Sequence, residues 1–208
     1  MEALRVYLIT DRSLLPEDGF LAGIEAALKG GVRAIQLREK NLPEEPLRSL
    51  AKEVLDLTQR YHALLFINHR ADVAQEIGAN GVHLTEASAA VRRVRKQYPG
   101  LLIGKSTHSL EGAMRAQKQG ADFVTFSPVY DTPSKQQYGP PQGLEKLEQV
   151  SKGLDIPVLA LGGIDLSRIP TVRQRGAFGV ALIRGIWNSP DIEQESLKYM
   201  KALRGETP

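Results

Sequence analysis

Short apolar runs alternate along the chain with longer stretches in which apolar residues recur every three or four positions. The short runs predict strands at Arg5 to Ile9, Ala34 to Leu37, Leu64 to Ile67, Gly81 to Leu84, Leu101 to Ile103, Phe123 to Phe126, Pro157 to Leu161 and Val180 to Ile183. The longer ones predict helices at Phe20 to Leu28, Glu44 to Tyr61, Asp72 to Ile77, Ser88 to Gln97, Leu144 to Val150, Leu166 to Arg175 and Ile192 to Leu203, with another starting at Ser109. Residues 127–142 fit neither pattern, and a loop of that length is often functional.

Four of the strands carry one signature. A glycine precedes an apolar run in G-V-R-A-I-Q-L from Gly31, G-A-N-G-V-H-L from Gly78, G-A-D-F-V-T-F from Gly120 and G-A-F-G-V-A-L from Gly176. The spacing, roughly 40 to 56 residues, is that of two βα units of a barrel. The glycine suits a helix C-cap before the chain enters the sheet. The pattern predicts an α/β fold, a single (β/α)8 TIM barrel over residues 1–208. A doubly wound open sheet is the rival, since it uses the same alternation.

Composition narrows the function. The net charge is +3, from 27 basic and 24 acidic residues, too balanced for a nucleic-acid partner but suited to small anions. With no cysteine there is no disulfide, thiolate metal site or thiol nucleophile. The first ten residues are too short an apolar run for a signal peptide, and no run approaches the ~18 apolar residues of a membrane span. The expectation is a soluble, cytoplasmic protein without a membrane partner; a homodimer is compatible with it.

In a parallel barrel the strand C-termini build the site. Here they carry Gln36, Arg38, Glu39 and Lys40; Asn68, His69 and Arg70; Ser106 and His108; Thr132, Ser134 and Lys135 in the long loop; Gly162-Gly163; and Arg184-Gly185. Arg38 and Lys40 lie two apart and point alike from an extended segment. With Lys135 between hydroxyls they suggest a diphosphate site, against the plain alternative that exposed loops carry charge. Gly162, Gly163 and Arg184 suggest a phosphate held by backbone N–H groups, against simple tight-turn chemistry. His69 and His108, just past strand ends, are candidate proton carriers, while His62 reads as a surface residue and His83 as a hydrogen-bonded core histidine. No cluster has metal-ligand spacing. Asp72 and Asp122 read as caps, Asp11 as the one acid able to reach the mouth, and Trp187 as packing.

These residues resemble the thiamine-phosphate synthase and TenI superfamily over nearly the whole chain. The motifs are Y-L-I-T-D-R from Tyr7, Q-L-R-E-K from Gln36, I-N-H-R-A-D-V-A from Ile67, G-A-N-G-V-H-L from Gly78, G-K-S-T-H-S-L from Gly104, P-V-Y-D-T-P-S-K from Pro128 and G-G-I from Gly162. The resemblance implies a TIM barrel and small phosphorylated substrates. It places a pyrimidine diphosphate on Gln36, Arg38, Lys40, Asn68, Ser106 and Lys135, and a thiazole phosphate near Thr132, Ser134, Gly163 and the Ile183-Arg184 turn. Two departures stand out. The synthase pattern I-N-D-R supplies a magnesium ligand where this chain has His69, and H-L-G-Q-E-D supplies another where it has Ser88. Imidazole and hydroxyl are poor ligands for a hard cation. A third departure puts Arg184 where the family has serine. The loss of both acids resembles the TenI branch, although the histidine of its G-H-V-F motif is Pro128 in S-P-V-Y here. The leading expectation is a TenI-like thiazole tautomerase acting on thiazole carboxylate phosphate. In it His108 or His69 carries the proton, Gly162, Gly163 and Arg184 hold the phosphate, and no cofactor is used. The alternatives are a thiamine-phosphate synthase, with Mg²⁺, and a non-catalytic thiazole-phosphate binder.

Overall fold

A computed structural model of the protein describes residues 1–39, 41–132 and 140–207. Eight parallel strands close into a barrel in sequence order. They are β1 Val6–Ile9, β2 Ala34–Leu37, β3 Leu64–Asn68, β4 Gly81–Leu84, β5 Leu102–Thr107, β6 Phe123–Phe126, β7 Val158–Leu161 and β8 Gly179–Leu182. Closure is made by β8 pairing with β1, Val180 against Val6. The open-sheet rival is thereby excluded.

The helices are α1 Phe20–Lys29, α2 Glu44–Arg60, α3 Ala71–Ile77, α4 Val91–Gln97, α5 Leu110–Lys118, α6 Gly143–Gly153, α7 Ile169–Gln174, α8 Arg184–Trp187 and α9 Ile192–Arg204. Helix α2 illustrates why they form. Leu47, Ala51, Val54, Leu55 and Thr58 make one buried face, Glu44 and Glu45 lie in the positive first turn, and Arg60 in the last. The four repeat glycines, Gly31, Gly78, Gly120 and Gly176, all adopt positive φ before their strands. Among the described residues no helix is long and apolar enough to cross a membrane.

Three boundaries differ from the sequence expectation. Strand β5 runs on to Thr107, because Lys105, Ser106 and Thr107 keep pairing with Val124, Thr125 and Phe126. Helix α4 starts only at Val91: the Ser88 hydroxyl is engaged by the Thr85 amide and so caps nothing. The single turn α8 was not expected at all; Trp187 packs from it, its indole N–H donating to the Ile9 carbonyl at 2.8 Å. The two aspartates also bind arginines: Asp72, in the first turn of α3, and Asp122, at the entry of β6. Asp72 pairs with Arg70, and Asp122 joins Arg95 (2.5 Å) to the Ile103 amide (2.6 Å).

Two layers of side chains fill the barrel. In the lower one Tyr7, Phe66 and Phe123 pack edge to face, with centroids 5.2 to 5.4 Å apart. Gly104 makes room for them: a Cβ there would come 2.6 Å from His83 Nδ1. The upper layer forms the floor of the mouth.

Candidate active site

Strand alternation decides which residues reach that floor. Tyr7, Phe66 and Phe123 face inward, so Ile9, Asn68 and Thr125, each two residues on, do so as well. Gln36, His83 and Ser106 join them through side-chain hydrogen bonds inside the barrel. The floor therefore has two unlike halves. Over β2 to β6 it is polar: Gln36, Asn68, His83, Ser106 and Thr125. Over β7, β8 and β1 it is Leu161, Ala181, Ile183 and Ile9, residues of the inner apolar cluster or packed against it.

The polar half is held by a buried hydrogen-bond chain. The Gln36 amide donates to the Tyr7 hydroxyl at 3.1 Å. Tyr7 Oη lies 3.3 Å from His83 Nδ1, and His83 Nε2 lies 3.1 Å from Ser106 Oγ. The amide NH₂ fixes only that Tyr7 Oη accepts there; the arrangement that also gives the Tyr7 proton an acceptor sets the rest. Tyr7 gives its own proton to Nδ1, His83 keeps its proton on Nε2, and Ser106 accepts from it with its hydroxyl proton left for the mouth. Burial, with the Lys105 and Arg38 charges, pushes the His83 pKa down to about 3, so the ring stays neutral. Burial also raises the Tyr7 phenol well above its usual value. Two buried acceptors beside this chain, Asn68 Oδ1 and Thr125 Oγ1, have no protein partner. Buried polar atoms without partners are uncommon, and both lie beneath the surface of the floor.

The apolar half opens into a cavity of about 790 Å³, lined among others by Arg38, Glu39, Thr132, Gly162, Gly163, Ile183 and Arg184. Gly162 and Gly163 both have positive φ, 97° and 65°. At Gly163 a Cβ would lie 2.7 Å from the Asp131 carbonyl, so only glycine fits, and Arg168 holds the Gly163 carbonyl from behind. Arg184 and Gly185, which open α8, lie on the same wall, while the Ile186 and Trp187 amides are taken by the Ile183 carbonyl. The expected phosphate residues Thr132, Gly162, Gly163, Ile183 and Arg184 are thus brought together.

Glu39 enters this cavity too, so Asp11 is not the only acid at the mouth. Thr10 Oγ1 donates to it at 2.8 Å while accepting from the Arg38 amide at 2.9 Å. Burial raises the Glu39 pKa, and the Thr10 bond opposes the shift. Its motif position was visible, but β2 stops at Leu37, and alternation no longer fixes the direction of a side chain two residues later.

The histidines are placed elsewhere. His108 lines a smaller cavity of about 240 Å³ between α4 and α5, with Nδ1 held 2.5 Å from the Ser127 carbonyl and Nε2 3.8 Å from Glu86. His69, at φ 49°, has Nδ1 against the Asn68 amide at 2.9 Å, and burial lowers its pKa. Neither lines the cavity that holds Gly163 and Arg184. Lys40, Ser134 and Lys135 lie outside the described residues.

A divalent cation does not suit the donors at the positions the resemblance gives it. His69 Nδ1 already faces an amide, and the Ser88 hydroxyl closes the Thr85 turn through contacts of 2.9 Å to both the Thr85 amide and hydroxyl. Among the described residues no three His, Asp or Glu side chains gather as metal ligands.

The sequence profile of the thiamine monophosphate synthase family matches residues 6–186. The chain belongs to that family. A thiamine-phosphate synthase of Pyrococcus horikoshii is 37% identical over 93% of this chain and 91% of its own length. A provisionally assigned synthase of Geobacter sulfurreducens is 46% identical over 97% of this chain and 95% of its own. The solved thiamine phosphate pyrophosphorylase of Pyrococcus furiosus superposes with a TM-score of 0.91 at 34% identity, covering 98% of this chain and 97% of that one. The family is one of thiamine biosynthesis, and its named members support transfer chemistry, not the tautomerase that led the sequence reading.

Proposed function

We propose that the protein is a thiamine-phosphate synthase, joining a pyrimidine diphosphate to a thiazole phosphate with release of diphosphate. One observation carries this: the mouth holds two chemically unlike halves side by side. An isomerase of one thiazole phosphate needs only the glycine-lined cavity. It leaves unexplained a polar floor and a serine presenting its proton. A pyrimidine bearing an amino group matches a floor of hydrogen-bonding side chains, Gln36, Asn68 and Ser106, better than an apolar one. Ser106 and Arg38 then meet the diphosphate, while Gly163 and Arg184 take the thiazole phosphate.

The tautomerase keeps one support, and it is Glu39 instead of a histidine. A carboxyl with raised pKa inside the phosphate cavity is fitted to move a proton. One assay separates the readings. Purified protein is given both phosphorylated halves, or the exocyclic thiazole tautomer alone. Thiamine phosphate formed with equimolar diphosphate is the expected result. Aromatised thiazole without any coupled product sinks the synthase reading; binding of both halves with no turnover leaves a non-catalytic binder.

A further inference from the structure

The second cavity holds a cation that neither half of the mouth has absorbed. Lys105 sits on β5 between Gly104 and Ser106, whose positions face the barrel interior at His83. Its stem therefore leaves the barrel wall outward, and its ammonium turns up to the Thr85 carbonyl at 2.7 Å. Thr85 is the residue whose amide and hydroxyl are closed by Ser88. A fixed positive charge thus stands at the turn where the resemblance leads one to expect a metal-binding acid.

We propose that Lys105 supplies the positive charge on the leaving diphosphate that a divalent cation would otherwise supply, so that this chain holds diphosphate without a metal. This rests on reading the polar half as the diphosphate side. Three observations favour it. Lys105, Ser106 and Ser88 line one cavity, so the ammonium opens beside the strand residue that serves the polar floor. Among the described residues Lys105 forms no ion pair within 4 Å, although Glu86 lines the same cavity and acts on it from farther off, and one of its three N–H donors is taken by Thr85. Its half-buried ammonium is also desolvated enough to lower its pKa, and an arriving anion relieves that cost.

Calorimetric titration of inorganic pyrophosphate into the full-length protein tests this. Wild type in EDTA is expected to bind, with magnesium improving affinity by no more than a few-fold. Lys105→Met is expected to weaken binding about tenfold or more, the loss of a charge-assisted contact, and Lys105→Arg to retain it. Orthophosphate binding at the glycine-lined cavity stays unchanged in both, which a collapsed structure would not allow. If Lys105→Met does not fold, the EDTA and magnesium titrations of wild type decide alone. Pyrophosphate binding that appears only with magnesium, or Lys105→Met binding like wild type, overturns the proposal. No turnover is read, so this outcome and that of the coupling assay fall independently.

Discussion

The two halves of the floor use opposite means to hold a ligand. On the β2 to β6 side the barrel turns five polar side chains inward, ties Gln36, His83 and Ser106 together through Tyr7, and leaves Asn68 Oδ1 and Thr125 Oγ1 unsatisfied. On the β7 to β1 side the inner residues are apolar, and recognition passes to the backbone at Gly162, Gly163 and the start of α8. Side-chain recognition selects a heterocycle by its donors and acceptors. Backbone recognition selects a phosphate by charge and shape. A barrel of repeated βα units can therefore offer two unlike surfaces at one mouth, because the inward residue of each strand is chosen separately.

If the halves act separately, damage to one should spare the other. The largest effect is expected for Asn68→Leu, which removes both the free acceptor and the partner of His69. Coupling should fall by about 10³-fold, while thiazole phosphate binding by calorimetry stays within a few-fold of wild type. Equal loss of both would mean the halves are one site. Gly163→Ala reverses the experiment. A methyl group 2.7 Å from the Asp131 carbonyl at φ 65° should weaken thiazole phosphate by about 30-fold and leave pyrimidine diphosphate binding nearly intact. A normal thiazole phosphate affinity in that variant would remove the glycine wall from the argument.

The third test sharpens the polar half alone. His83 is neutral when folded, with a pKa near 3 against about 6.5 unfolded. Between these values the unfolded chain binds the extra proton. The His83 contribution to stability is thus present above pH 6.5 and lost as pH falls. Denaturant melts should show about 2 kcal/mol less stability at pH 5 than at pH 7 from this group. His83→Asn should flatten that slope, and an unchanged slope would show that another group carries it.

The barrel was legible because it rests on repetition. The glycine-led strands at Gly31, Gly78, Gly120 and Gly176 recur with the right spacing, and all four glycines adopt the backbone that their position predicted. That Gly162, Gly163 and Arg184 share one wall was legible for a similar reason, since they follow strands directly. Polar strand ends were harder. Lys105, Ser106 and Thr107 read as loop residues, yet they pair with β6, and that pairing sends Ser106 inward and Lys105 outward. His108 and His69 lie where strand geometry ends, so sequence could place them at the rim but not choose the wall. Backbone contacts chose: the Ser127 carbonyl draws His108 toward α4 and α5. Glu39 failed the same way in reverse, drawn inward by Thr10.

The Gln36–Tyr7–His83–Ser106 chain has polarity, and its polarity is set at Gln36, the end opposite Ser106. Were Gln36 a glutamate, its carboxylate could only accept. The Tyr7 proton would swing to it, Nδ1 of His83 would carry the hydrogen, and Ser106 would have to give its proton inward. The mouth would then meet an incoming anion with lone pairs, with no atom at the surface replaced. A single buried amide nitrogen, two residues removed from Ser106 in the relay by a phenol and an imidazole, thus governs whether the enzyme greets its substrate with attraction or repulsion.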